Sequence, residues 1–431
     1  MENKKKGLND FYLLWGTQSL SQLGSSITAF SLTLWLYEKT GSALSTASLT
    51  ICSYFPYVIM SIFAGAISDR FNKKKTMLIC DAFAALMTVL VFVLYKADLL
   101  LRWHLYAINA LLGLMNTIQQ PASEVAYSLI IPKEEYQRTG GLQYLSRSLV
   151  SIGSPLIASM LYGFAGLDGA ILTDLLTFTV AFLSLIFFIR IPEIASENQK
   201  EERMLELAKE GIGFLKNNPL VLNVILFMSG VNLIASAFDA VLPALVIPSV
   251  RGGNAVLGVV TSCSGVAMVI GSVLATIMPK PKDRVRMIYL TMLFSLGTEN
   301  FLLALSRNPI VWCAGQILGW IFVPVMSANL NVIMRNSIPI ELQGRVYACR
   351  NTLQFFTIPI GLLLGGYMVD EICEPFMAAQ SADGLMRILF GTGKGSGAAL
   401  MMFILGVAGI LVCLLFRNRL KQYHYTDTEE K

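Results

Sequence analysis

Ionisable side chains inside long apolar runs are the groups of this sequence that could do chemistry, because a charge is costly in such surroundings and is retained where it has a use. Glu124 stands seven residues before Ile131, where an apolar run ends. If that run is helical, the carboxyl lies about 10 Å from the end. Asp239 stands four residues before Pro243 in a second run. Either carboxyl could take up and release a proton as an ion gradient drives it. Arg147 lies at a similar depth in a third run and could neutralise Glu124. Glu124 thus has two readings, a proton carrier or one half of a structural ion pair. Asp239 has three: a proton site, a site for a cationic substrate, or a side chain merely wetted by a vestibule.

Polar residues extend these points into stripes. Gln18, Ser21, Gln22 and Ser25 recur at i, i+3, i+4 and i+7, which places them on one helical face. Ser229, Asn232, Ser236 and Asp239 form a second such face, and Asn109, Asn116, Gln120, Glu124 and Tyr127 a third. Adding 207 to Gln22, Ser25 and Ala29 gives Ser229, Asn232 and Ser236; adding it to Asn109, Gln120 and Glu124 gives Gln316, Ser327 and Asn331. Polar groups turned to lipid are unfavourable, so these faces must look inward. They line a substrate cavity or, on the plainer reading, hydrogen-bond helix to helix. Trp320 and Met115 could add loose apolar contact for a bulky ligand, or be ordinary core.

The offset of 207 is a property of the whole chain. Ile131-Pro132-x-Glu134-x-x-x-Arg138 recurs as Ile338-Pro339-x-Glu341-x-x-x-Arg345, each copy closing a long apolar segment. Two like-oriented halves in a very hydrophobic chain are the mark of a parallel-repeat secondary transporter, with its substrate site near mid-membrane between the halves. Composition agrees: 55% of residues are apolar and only 14% charged, against about 25% charged in soluble domains. Seven scattered cysteines and two histidines form no metal or disulfide pattern. The net charge of +5 follows membrane topology rather than a nucleic-acid partner.

The hydropathy predicts an all-α polytopic membrane protein with twelve spans: 12–36, 44–67, 76–95, 104–131, 142–165, 168–189, 220–246, 256–278, 286–305, 309–333, 346–369 and 398–416. Lys4-Lys5-Lys6 precede a first run too long for a cleaved signal, so that run is expected to stay as a helix. With the N-terminus in the cytoplasm, Lys39, Lys96, Arg102, Arg251, Arg307, Arg387 and Lys394 fall outside, leaving 33 − 7 = 26 of the Lys and Arg residues inside, as the positive-inside rule expects. The expected organisation is a six-helix bundle over 1–189, a cytoplasmic linker over 190–219 with an amphipathic interfacial helix, and a second bundle over 220–431. The last carries an outside stretch, 370–397, read as an ordered loop, and both termini are expected in the cytoplasm.

Between spans 2 and 3, Gly65-Ala66-Ile67-Ser68-Asp69-Arg70-Phe71-Asn72-Lys73-Lys74-Lys75 resembles the loop signature of the major facilitator superfamily, with Asn72 at the usual second glycine. Asparagine tolerates left-handed backbone, so the turn can survive there. The resemblance implies a cytoplasmic latch in which Gly65, Asp69 and Arg70 meet the start of span 11 near Arg345, Asp69 sitting at the positive end of that helix. The bland reading is a topogenic basic loop. The second-half counterpart, Lys282-Asp283-Arg284-Val285-Arg286, lacks the glycine. Gln120-Pro121-Ala122, Gly140-Gly141-Leu142 and Asp370-x-x-x-Glu374-Pro375 look like the export branch that includes macrolide-efflux-type proteins. Gly153-Ser154-Pro155 is a reduced form of the antiporter signature, with Ala158 and Ser159 where paired glycines are usual. In this superfamily spans 1, 4, 7 and 10 line the cavity. Asp81 and Glu299 fall on spans 3 and 9, which are peripheral there, so a structural role is expected for them.

No Walker lysine loop, Gly-x-Ser-x-Gly or His-Glu-x-x-His is found. Together these readings predict a transporter without cofactor, driven by an ion gradient: a proton-coupled efflux pump for small amphipathic or lipophilic compounds in a bacterial cytoplasmic membrane. It would act as a monomer, with Glu124 and Asp239 as coupling carboxylates and sodium as the alternative ion. The expected cavity residues are Gln18, Gln22, Ser25, Asn116, Gln120, Arg147, Asn232, Ser236, Gln316, Trp320 and Ser327. An uptake symporter is the alternative within transport, with Arg147 the one cavity-side cation available to it. A polytopic membrane enzyme would need an acid or histidine cluster at one membrane face, and none is seen.

Overall fold

The computed structural model describes residues 2–70, 72–131, 135–192, 204–279, 281–381 and 384–420. They form helices and connecting turns, with no strand among the described residues. In chain order the helices are α1 (Glu2–Thr40), α2 (Ala43–Arg70), α3 (Lys73–Lys96), α4 (Arg102–Ile130), α5 (Tyr136–Phe187), α6 (Met204–Asn217), α7 (Pro219–Val246), α8 (Asn254–Ile277), α9 (Arg284–Leu305), α10 (Pro309–Trp320), α11 (Val323–Ser337), α12 (Ile340–Phe355), α13 (Thr357–Tyr367), α14 (Glu374–Ala378), α15 (Leu385–Phe390) and α16 (Ser396–Leu420). Among the described residues, nine helical stretches are long and apolar enough to cross a bilayer. Only helices can do so as single segments, since each satisfies its own backbone there.

Helix starts follow local side-chain chemistry. Asn72 accepts from the Lys75 amide at 3.0 Å, Asp283 from the Arg286 amide at 3.0 Å and Asn308 from the Ile310 amide at 3.0 Å. Each quenches an amide that has no intrahelical partner. Pro309 and Pro219 take first-turn positions, where the missing N–H costs nothing.

The fifth and sixth expected spans are the two limbs of α5, which folds at Gly166, where a φ of 60° and ψ of −155° suit glycine alone. Two other expected spans are broken. The tenth is split between α10 and α11, next to Pro324. The eleventh is split at Phe356 between α12 and α13, three residues before Pro359, and continues into a π-helical turn, Met368–Cys373. The stretch 370–397, read from sequence as a loop, is partly helical: it holds the end of that turn, α14 and α15. Runs such as Phe376-Met377 and Leu385–Phe390 bury one side of each piece, including Met377 and Phe390.

Contacts divide the chain into two compact units, Met1–Lys39 with Leu49–Gln199, and Thr40–Ser48 with Lys200–Lys431. In the first, Leu32, Leu36, Met87, Val91, Leu105, Leu167 and Ile171 form one apolar cluster. Phe11, Leu14, Met77, Ala126, Ile130 and Leu185 form another. In the second unit α7 is the most enclosed helix, packed by α13, α16 and α12, and α9 packs on α16, α10 and α11. The linker helix α6 lies against α12 and α7, with Leu215 buried.

Candidate functional site

In the first unit, α1 carries Gln22, Ser25 and Ala29 on an exposed face, and α4 carries Asn116, Gln120 and Glu124 on another. The Gln120 amide reaches Glu124 Oε1 at 3.5 Å, and the charges of Glu124 and Tyr57 lie within electrostatic range. Arg147 is exposed on α5 and its charge acts on Tyr127. Glu124 and Arg147 form no ion pair with each other, so the glue reading of that pair has no contact behind it.

Behind these faces two buried carboxylates tie the helices together. The Gln18 side-chain amide donates to Asp81 Oδ2 at 3.1 Å and Gln119 to Oδ1 at 2.5 Å. Two turns further along, Ser25 Oγ donates to Asp174 Oδ1 at 2.9 Å and Thr88 Oγ1 to Oδ2 at 3.3 Å. Gln18 to Ser25 on α1 and Asp81 to Thr88 on α3 are both steps of seven residues, which is why one pair of helices can meet at both levels. Asp81 is 9% exposed and Asp174 5%. The partners of both are neutral donors, which hold a carboxylate in place without cancelling its charge. Gly24 lets α1 approach this level: a Cβ there would run into Thr177 and the backbone of Asp174.

Asp174 and Gln119 escaped the sequence reading. Asp174 was visible by the same criterion as Asp81, an acid inside an apolar span. Nothing in the spacing says that Ser25 is its donor, because that pairing joins α1 to the far limb of α5.

In the second unit the α7 stripe has an identifiable task. Ser229 Oγ donates to the Leu353 carbonyl at 2.8 Å, and the Asn232 amide to the Gln354 carbonyl at 3.0 Å. Thr357 Oγ1 returns a bond to the Ser229 carbonyl at 3.0 Å. The Leu353 and Gln354 carbonyls lie where α12 breaks before α13, and a break at membrane depth needs such partners. Ser236 bonds back to the Asn232 carbonyl at 2.6 Å, against Gly361 of α13, where a Cβ would strike its hydroxyl. Asp239, one turn further, is exposed.

Gln316 is buried at 2% exposure, while Ser327 and Trp320 are half-buried. Trp320 Nε1 donates to Glu299 Oε1 at 3.0 Å. Ser295 of α9 donates to the Gly319 carbonyl, and Gly319 leaves room for the Glu299 side chain. Glu299 and Asp239 lie within electrostatic range of each other. Asn329 accepts from Arg284 at 2.9 Å, giving the basic start of α9 a seat on α11. The side chains of Gly65, Asp69, Arg70 and Arg345, expected to form a latch, lie outside the described residues. Among the described residues no group of three or more His, Cys, Asp or Glu could hold a metal.

Long apolar helices carrying buried acids and exposed polar faces define a multi-pass membrane transporter. The chain belongs to the major facilitator superfamily, whose family model matches residues 14–362. It is 24% identical over 369 residues to macrolide efflux protein A of Streptococcus pyogenes, covering 84% of this chain and 90% of that protein. It is 24% identical over 385 residues to the multidrug efflux pump Tap of Mycolicibacterium fortuitum, covering 86% and 91%. In fold it resembles a bacterial homologue of the human lysosomal transporter Spinster, with a TM-score of 0.70 at 12% identity over 99% of this chain and all of that one. It also resembles the nucleoside transporter NupG, with a TM-score of 0.66 at 11% identity over 96% and 100%. The chain is therefore a transporter with efflux-pump relatives, not an enzyme.

Proposed function

We propose that this protein is a proton-coupled efflux pump for small amphipathic or lipophilic compounds of the macrolide and drug-like class, working by alternating access in a bacterial cytoplasmic membrane with both termini inside. The observation that carries this reading is the near full-length similarity to two efflux proteins, each matched over more than four-fifths of its length. Supporting it, Asp239 is an exposed carboxylate within one of the nine candidate membrane-crossing stretches, Glu124 is an exposed carboxylate on α4, and Glu124 has no ion-pair partner among the described residues. Exposed carboxylates at such depth need an aqueous path, and an aqueous path gives a proton a route to them. Gln120, in reach of Glu124, and Asn116 on the same face of α4 supply neutral polar groups suited to uncharged or cationic compounds. With no nucleotide-binding motif in the sequence, the driving force would be the ion gradient.

The test is accumulation of a labelled macrolide in cells with and without the protein, with and without an uncoupler. The reading requires lower accumulation in expressing cells and its reversal by the uncoupler. Higher accumulation would identify uptake instead. Efflux that follows an imposed sodium gradient, and ignores a pH gradient, would replace the proton by sodium.

A further inference from the structure

The turn joining α1 to α2, with the first residues of α2, groups with the second unit. Residues up to Lys39 and from Leu49 onward belong to the first unit, yet Thr40–Ser48 belong to the second. Asp370, in the π-helical turn, accepts from Ser42 Oγ at 2.6 Å, from the Ala43 amide at 3.0 Å and from the Leu44 amide at 2.9 Å. Ser42 Oγ in turn accepts from the Ser45 amide at 3.0 Å. Three of the amides left open at the start of α2 are thus quenched, two of them by a carboxylate more than three hundred positions away. Its negative charge also sits at the positive end of the helix.

The surroundings fit this clasp. Gly366, four residues before Asp370, meets the Leu44 backbone so closely that any Cβ would collide with it. Gly41 adopts a φ of +60° and lies under the Lys394 ammonium. Four residues after Asp370, Glu374 does the same service for α16, accepting from the Gly395 amide at 2.8 Å and the Ala398 amide at 3.3 Å. The Asp-x-x-x-Glu pair is therefore two long-range helix caps. Glu374 caps a helix of its own unit, whereas Asp370 caps one that continues into the other.

We propose that Thr40–Ser48 is a releasable strap: the Asp370 carboxylate clasps it in the state seen here, and the clasp opens during the working cycle. A capping bond suits this task, because the freed Ser42 hydroxyl and amides turn to water without disrupting the rest of α2. Local caps on the same element would hold it permanently; a cap lent by a distant turn can be withdrawn.

The test places a cysteine at Ala47, a buried strap position, and measures its labelling by a membrane-impermeant maleimide in intact cells, above the background of the parent chain. We expect slow labelling in the parent background, labelling at least about tenfold faster with Asp370→Ala, and an intermediate rate with Asp370→Asn, which keeps one acceptor oxygen. Ser42→Ala removes the bond to Asp370 and the local cap on the Ser45 amide while leaving the carboxylate on the Ala43 and Leu44 amides, and should speed labelling several-fold. Gly366→Ala should act in the same direction by forcing Leu44 away. Unchanged labelling in Asp370→Ala and Ser42→Ala chains that elute as folded, monodisperse protein overturns the proposal. Should Asp370→Ala not fold, Ser42→Ala alone decides. No substrate enters this assay, so its outcome is independent of the efflux reading.

Discussion

Trp320 hands its indole N–H to Glu299 at 3.0 Å, and that bond links the broken end of α10 to the middle of α9. Trp320→Phe keeps the ring and removes the donor. It should destabilise the protein by about 1–3 kcal/mol, the usual cost of leaving a buried acceptor without its donor, read as a lower thermal midpoint in detergent. Glu299→Gln keeps an acceptor and removes the ionisable group within electrostatic range of Asp239. It should hold the thermal midpoint near that of the wild type while cutting uncoupler-sensitive efflux about tenfold. Normal efflux in Glu299→Gln would assign Glu299 to structure alone.

Glu124→Gln and Asp239→Asn should each abolish gradient-driven efflux while leaving substrate counterflow largely intact, because exchange needs the binding surface but no net proton movement. Proteoliposomes with an imposed pH gradient separate the two activities. If both variants pump as the wild type does, neither residue carries the proton.

Asp174→Ala should cost about 2–4 kcal/mol, more than Asp174→Asn. It strands the Ser25 and Thr88 hydroxyls around a hole, whereas asparagine retains a carbonyl for one of them. Thermal unfolding of the purified variants would show the order; equal losses would mean that the hydroxyls find other partners.

Ser229→Ala should cost about 1–3 kcal/mol by taking the α7 donor from the Leu353 carbonyl, and Asn232→Ala less, since Thr357 Oγ1 still donates to the Gln354 carbonyl. Their effects should not add, since both serve one break. A double-mutant cycle by thermal shift measures the coupling directly.

Much was legible in the sequence, for reasons that can be stated locally. A run of apolar residues long enough to cross a bilayer must be helical whatever its neighbours, so the all-α class and most span positions followed from hydropathy. The loop signature around Asp69 sufficed to suggest the superfamily. Asn72, Asp283 and Asn308 cap the helices beside them, and capping is decided within four residues.

Tertiary structure alone decided which partner each polar group found. The stripe of Ser229, Asn232 and Ser236 read equally well as cavity lining or as helix glue. Ser229 and Asn232 spend donors on carbonyls more than a hundred positions away, at a break whose need the local pattern does not reveal, while Ser236 bonds back within α7. Ser25 and Gln18 looked alike on α1, yet each belongs to a different buried acid. Asp370 stood in a recognisable motif whose contact, the start of α2, lies at the other end of the chain. Periodicity reports which face of a helix a residue occupies; it carries no information about what that face meets, because the meeting is settled by how helices distant in sequence pack.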